Sequence, residues 1–392
     1  MQPHQLSLSD EYTLHVYEQV DAVGKLVWDS IHPQAPFYQR FDFLQLIEQL
    51  PSDMQFRYVL LYRKEELLGA VYVQSLVFHY HNLVQYHTES GGLFKNMMKR
   101  FFDGKTTALL NVGNVFFTGD TGIIAQDQDA VLEFLPDILR RVRDTFARAK
   151  PAAFLIASVS QQDRQRCRRY CQRSFHDFVT EPDMYMSVRP EWQQMDDYMQ
   201  SLSSKYKVRS RKIFKVSEAL VVKNLSIQDI ETEEPRLEQL YTNVVNHVAF
   251  NMATLHVSFF KKVKALYGDK CMLYGYYLHG ELVSFACLFQ VEPGYLHVHY
   301  IGLNYEHNKS LKLYNRMLLD FVEVAIQRRV HTIHFGRTAT EIKTTIGATP
   351  KPLQAFLQMN NRLLNASLPY FLKRIKPQEY IVRHPFKETA ND

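Results

Sequence analysis

The densest concentration of chemistry-bearing side chains in this sequence is HFGRTATEIKTTIGATP, His334 to Pro350. It follows a short β-prone run, His331–Phe335. A turn at the end of such a strand is where an α/β sheet presents loop side chains to a ligand. Arg337 supplies the planar two-pronged donor that grips a phosphate or carboxylate, and Lys343 a second cation. Thr338 can add a hydroxyl to the same grip. Glu341 is a candidate general base for taking a proton from an attacking amine. The plainer reading pairs Arg337 with Glu341, leaves Lys343 as an exposed lysine, and has Thr338 and Thr340 capping the turn.

A second set lies on YLHVHYIGL, Tyr295 to Leu303. Strand alternation puts His297 and His299 on one face with Tyr295 and Ile301, and Tyr300 on the other. His299 is a candidate base, or else a hydrogen-bonded histidine beneath a helix. Tyr300 is a candidate for the acceptor pocket, with Asn251 and His256 from the polar break AFNMATLHVSFF. No metal is expected. HTIH, His331 to His334, lacks metal-ligand spacing, and Cys167 and Cys171 stand in RQRCRRYCQR without a second pair.

The elements that must position these residues come in a repeated order. In the first half a helix near Phe41–Ile47 precedes β runs at Phe56–Arg63 and Leu67–Phe78 and a third at Ala108–Phe117. A helix over Ala130–Ala147 and a strand Ala153–Val159 follow. In the second half a helix near Phe259–Leu266 precedes β runs at Cys271–Leu278, Leu282–Val291 and Tyr295–Leu303. A helix over Leu311–Arg329 and the strand His331–Phe335 follow. The hairpins echo each other, Glu66-Leu67-Leu68 against Glu281-Leu282-Val283. The pattern predicts an α/β chain of two duplicated units, each a mostly antiparallel mixed sheet flanked by helices. The divisions fall at 1–190, a helical connector at 191–222, and 223–392. The connector is basic, with Lys205, Lys207, Arg209, Arg211, Lys212 and Lys215. It is either a solvated helix face or a contact for phosphates.

A chain of 392 residues is long for one core, which agrees with two units. Its net charge of +5 permits an anionic partner without demanding one. Four sparse cysteines fit reduced thiols and a cytoplasmic setting. The N-terminus lacks an apolar signal core, and no apolar run is long enough to span a membrane. The tail LPYFLKRIKPQEYIVRHPF, Leu368 to Phe386, mixes aromatics with cations. It either packs on the second unit or touches a membrane surface peripherally.

The run Tyr274–Leu303, the helix after it and HFGRTATEIKTTIGATP together resemble the GNAT acyltransferase superfamily. They look most like its tandem branch, which includes Fem-type peptidyltransferases. SLSSKYKVRSRKIFKVSEAL is similar to the basic linker helix of that branch, and NVGNVFFTGDTGI to one of its glycine-containing loops. The resemblance implies N-acyl or aminoacyl transfer from acyl-CoA or aminoacyl-tRNA to an amine on a small molecule or cell-wall precursor. It implies no tightly bound cofactor, acyl-CoA serving as co-substrate, and it gives the basic connector a role with tRNA. The relatives that use acetyl-CoA carry a glycine loop for the pyrophosphate. Here that place reads NYEHNKSLKLYN, without glycine. Asn308, Lys309, Ser310 and Lys312 are then the donor-binding candidates, with Ser310 capping a helix whose N-terminus favours an anion. Arg337, Thr338 and Lys343 complete the set. The alternative is a non-catalytic binding protein on the same scaffold.

Overall fold

The computed structural model describes residues 3–79, 106–146, 150–248, 252–375, 377 and 379–387. Along the chain run β1 (His4–Ser7), β2 (Tyr12–Tyr17), α1 (Lys25–Ile31), α2 (Phe41–Glu48), β3 (Gln55–Arg63), β4 (Glu66–His79), β5 (Thr106–Val112) and β6 (Ile123–Ile124). Next come α3 (Gln128–Leu132), α4 (Leu135–Arg143), β7 (Ala153–Ser160), α5 (Gln161–Cys171) and β8 (His176–Ser187). The second half holds α6 (Met195–Ser201), α7 (Ser204–Val216), β9 (Leu220–Asn224), α8 (Ile227–Thr232), α9 (Glu234–His247), α10 (Ser258–Tyr267), β10 (Cys271–Leu278), β11 (Glu281–Phe289) and β12 (Tyr295–Leu303). It ends with α11 (Tyr305–Leu311), α12 (Leu313–Gln327), β13 (Thr332–Gly336), α13 (Thr340–Thr344), β14 (Thr349–Met359) and α14 (Arg362–Leu372).

The chain forms two compact units, each discontinuous. Unit 1 holds residues 1–181, 249–256 and 352–378; unit 2 holds 182–248, 257–351 and 379–392. The divisions read from sequence, at 190/191 and 222/223, therefore fall inside unit 2. The cause is an exchange of strands. In unit 1, β4 pairs antiparallel with β5, β5 parallel with β7, and β7 antiparallel with β14, which arrives from the far end of the chain. In unit 2, β11 pairs antiparallel with β12, β12 parallel with β13, and β13 antiparallel with β8, which arrives from the first half. The duplicated order of hairpin, third strand, helix and strand is present in both units, so each is the mixed sheet with helices that the periodicity implied. The sequence reading missed β1, β2, β6, β8, β9 and β14.

Each unit has its own apolar core. Leu14, Val59, Val73, Leu110, Ile138 and Phe154 belong to the first. Leu288, Val298, Met317, Phe321 and Ile333 belong to the second. Cys167 and Cys171 are buried in the first, and burial pushes both thiols up to about 12, so they act as core residues. The helix expected over 130–147 is two helices, because Pro136 lacks an N–H and the chain restarts there with Pro in the first turn of α4. Likewise α12 starts at Leu313, after Lys312 takes a left-handed conformation at φ 54°. The tail divides: residues through 378 belong to unit 1, while Phe386 lies in unit 2 against Trp192 and Tyr198.

Two local devices fix the sheets. In unit 2 a Cβ on Gly302 would sit 2.1 Å from Phe285 Cε1 and 2.8 Å from Leu240 Cβ, so the missing side chain lets α9 lie directly on β12. In unit 1 the loop after β5 closes on buried Asp120. Its carboxylate accepts from Gln39 Nε2 at 2.9 Å, from the Gly122 N–H at 2.7 Å, from the Asn114 N–H at 2.9 Å and from the Tyr72 hydroxyl. Burial raises Asp120 to about 6, against the donors that lower it.

Gly302→Ala should destabilise the protein by about 1–3 kcal/mol through overpacking, read as a fall in the denaturant midpoint at unchanged m-value. A carboxyl raised by folding holds its proton more tightly in the native state, so its contribution is full below the unfolded value and is lost as pH rises through about 6. The stability difference between wild type and Asp120→Asn should therefore shrink between pH 5 and pH 7.5, measured by urea titration at each pH.

Candidate functional site

The functional candidates of unit 2 converge where β12 and β13 stop pairing. The parallel ladder matches Tyr295 with Thr332, Leu296 with Ile333 and His297 with His334, and goes no further, although β12 runs on to Leu303. Both strands are irregular there. On β12, Tyr300 faces Cys287 and Val298 faces Leu288, so His299 is an extra residue in a bulge. On β13 the register against β8 skips Phe335.

The bulge corrects the alternation read from sequence. His297, His299 and Tyr300 share one side, while Ile301 packs with the core against α12. The Tyr300 ring lies 5.7 Å from His299 and sits among Tyr241, Phe259 and Phe260. An extra residue shifts the parity of everything after it, which a period-two pattern cannot register.

Three imidazoles meet at this point. His297 Nδ1 faces His334 Nδ1 at 3.2 Å, and the His299 ring stands nearly perpendicular to that of His334 at 5.9 Å. One nitrogen from each ring lies within 4.8 Å of the other two. The HTIH pair, set aside in the sequence, is not the one that meets here. The group forms from positions 297, 299 and 334 on neighbouring strands, and only the parallel register brings them together.

Carboxylates flank two of the rings. Asp183 of β8, almost fully buried, lies 2.7 Å from His334 Nε2 and accepts from the Tyr185 hydroxyl at 3.1 Å. Tyr185 stacks on His334 at 4.5 Å. Glu292, in the turn before β12, lies 3.1 Å from His297 Nε2. A carboxylate only accepts, so the ring proton of His334 is drawn to Nε2, toward Asp183. His299 is held well below the usual histidine range, by burial first and then by His334, His297 and Lys343, so it stays neutral. Sequence reasoning missed Asp183 and Glu292. For Asp183 a signal existed, since Asp183 and Tyr185 alternate with the core residues Met184 and Met186 in the pattern of a half-buried strand.

The turn after β13 is built differently from the expectation. Lys343 is buried, and its ammonium donates to the carbonyls of Phe335 at 2.9 Å, Gly336 at 3.1 Å and Arg337 at 2.7 Å. All three donors are committed to backbone, so Lys343 braces the turn and offers nothing to a donor phosphate. It holds a strained segment, with Gly336, Thr338 and Ala339 all at positive φ. Glu341 is bound by Arg383, at 3.1 Å from Nε and 2.5 Å from a terminal nitrogen. Its carboxylate is thus occupied by a partner other than Arg337. The Arg337 side chain is half-buried and makes no ion pair among the described residues.

On the donor side, α11 occupies the stretch where a glycine loop would lie. Ser310 is in the last turn of α11, its hydroxyl donating to the His307 carbonyl at 3.2 Å, and it caps no helix. The cap comes from Asn308, whose Oδ1 accepts from the Tyr314 N–H at 3.1 Å at the start of α12. Lys309 and Lys312 are exposed. His256 is exposed, and Asn251 lies outside the described residues. Two clefts of about 630 and 790 Å³ open in unit 1, the first along Arg168, His176, Asp177 and Leu372, the second along Arg63, Glu66, Asp129 and Glu133. The histidine group forms part of neither wall.

Lys343→Met should destabilise the protein by about 3 kcal/mol, because buried carbonyls lose charge-assisted bonds. Lys343→Arg should not restore it, since the longer planar fork does not fit a three-carbonyl nest. Denaturant titration of both variants checks this.

No family model matches the sequence, and no curated protein matches it. Solved structures do. FemX superposes with a TM-score of 0.52 at 11% identity, over 93% of this chain and 99% of that one. The tandem GNAT protein from the clavulanic acid biosynthesis pathway superposes with a TM-score of 0.51 at 9% identity, over 89% of this chain and 99% of that one. At such identities the likeness is one of fold: the chain has a tandem GNAT fold, similar to that of FemX.

Proposed function

We propose that this chain transfers an acyl or aminoacyl group from an activated donor to an amine, in the crevice that opens between β12 and β13. The observation that carries the reading is the end of their pairing at His297 and His334, with the side chains of the bulged strand gathered beside it. The C-terminal ends of neighbouring parallel strands are where open sheets admit a ligand. The amine would attack the acyl carbonyl, with backbone N–H groups of β12 polarising its oxygen. The amine's proton would pass to the imidazole group, and the donor's oxygen or sulfur would leave with the bonding electrons. Holding amine and carbonyl in line supplies most of the acceleration.

Arg337 is the side chain of the turn left for an anionic part of the donor, with Thr338 beside it. The donor is acyl-CoA or aminoacyl-tRNA. Lys205, Arg209, Arg211, Lys212 and Lys215 are exposed on α7 and make no ion pair among the described residues, which supports contact with a phosphate backbone. The acceptor is an amine on a small molecule or a cell-wall precursor. No helix among the described residues is long and apolar enough to cross a membrane. Leu363, Leu364 and Tyr370 are exposed on α14, which supports peripheral contact with a membrane-borne acceptor.

A second reading is a binding protein on the same scaffold. Its support is Asn308, which already satisfies the N-terminus of α12 where a pyrophosphate would sit.

The test is a thermal melt with and without acetyl-CoA, together with turnover on amine acceptors using acetyl-CoA or aminoacyl-tRNA. A donor present at about 100 times its Kd adds about 2.7 kcal/mol, a shift of several degrees. Arg337→Ala should abolish that shift. His299→Ala should keep it and lower kcat by about 100-fold or more. Transfer from aminoacyl-tRNA without a CoA shift would assign the donor to tRNA. Partner binding with no turnover from either donor would leave the binding-protein reading.

A further inference from the structure

We propose that His297, His299 and His334 form a binding site for a divalent transition-metal ion of the zinc class, open at a fourth position. The inference rests on the geometry of the cluster, and an ion bound there would occupy the lone pairs that the acyl-transfer reading gives to the amine's proton. Each Nε2 of His297 and His334 lies against a carboxylate, Glu292 at 3.1 Å and Asp183 at 2.7 Å. With its ring proton drawn to Asp183, His334 presents an Nδ1 lone pair, and it faces His297 Nδ1 at 3.2 Å. A lone pair so placed takes either a proton carried on His297 Nδ1 or a metal ion that the two nitrogens share.

The spacing matches a metal. Tetrahedral zinc with Zn–N bonds of about 2.0–2.1 Å sets its ligand nitrogens about 3.3 Å apart. The His297–His334 pair is already there. The His299 nitrogen is within 4.8 Å of both, so a movement of about 1.5 Å by one side chain closes a three-histidine set. His299 sits on the bulge, where the backbone is least constrained by the ladder.

The surroundings suit the ion. His334–Asp183 has the arrangement in which a ligating histidine gives its other N–H to a carboxylate, which fixes tautomer and orientation, and Glu292 places a second carboxylate 3.1 Å from His297 Nε2. Two carboxylates offset a 2+ charge at a buried point, with Lys343 adding one positive charge at the edge. Three imidazole ligands with no thiolate favour zinc, cobalt or nickel over the hard cations. The ion would take the lone pairs that otherwise accept a proton, so metal and proton compete for one site and affinity falls in acid.

The experiment uses untagged full-length protein stripped with a chelator and titrated with Zn²⁺ against a chromophoric chelator at pH 7.5. Co²⁺ then reports coordination geometry through its visible spectrum. One ion per chain with a Kd below about 1 μM is expected, with the intense visible bands of four-coordinate cobalt. His297→Gln and His299→Gln should each weaken binding by more than about 100-fold, and Asp183→Asn by about 10–100-fold. The two histidine positions are only partly buried, and circular dichroism checks their fold. Binding weaker than about 10 μM would overturn the proposal, as would tight binding that survives both histidine substitutions in folded protein. Because the readout is the ion itself, failure here leaves the transfer assay untouched, and failure of transfer leaves the metal site standing.

Discussion

His334 is held from two sides, and the functional end of unit 2 depends on that hold. Its Nε2 meets Asp183 on β8 and its Nδ1 meets His297 on β12. A short central strand of five residues thus carries a polar link to each neighbour at the level where its ladder with β12 ends. A buried histidine costs least when both ring nitrogens are satisfied. Asp183 and His297 meet that requirement, at the last paired position of the ladder.

The same constraint explains the strand exchange. The strand after the crossover helix needs a partner on its outer edge, because an open edge leaves N–H and C=O groups exposed. Unit 2 takes β8 for β13, and unit 1 takes β14 for β7. Asp183 and Tyr185 come with β8, so residues from the end of the first half of the chain complete a cluster assembled in the second. A duplicated chain that kept its own last strand in each half would lack the carboxylate behind His334.

Charge is distributed with equal economy. Lys343 is buried a few residues from the histidines, yet its three donors end on the carbonyls of Phe335, Gly336 and Arg337. It stabilises a turn whose positive-φ residues would otherwise be costly. Its charge also presses on His299 and helps to keep that ring neutral. A neutral imidazole is the form that accepts a proton and the form that binds a metal. In unit 1 the loop after β5 spends a buried carboxylate, Asp120, on the backbone N–H groups of Asn114 and Gly122.

The sequence by itself determined the elements and their repetition. Periods of two and of 3.6 residues are local, so Cys271–Leu278 and Tyr295–Leu303 were legible to the residue, and the duplicated order with them. It also pointed to His299, Tyr300 and the turn after β13. The tertiary structure decided what those residues touch. Pairing register between strands far apart in the chain joined His297 to His334 and both to Asp183, and no spacing along the chain encodes a register. A one-residue bulge moved Tyr300 to the side of the histidines. Burial turned Lys343 from a ligand candidate into a brace, and an arginine from the tail claimed Glu341. Composition fixes which groups are available; only the three-dimensional accounting of donors, acceptors and charge fixes which of them remain for chemistry.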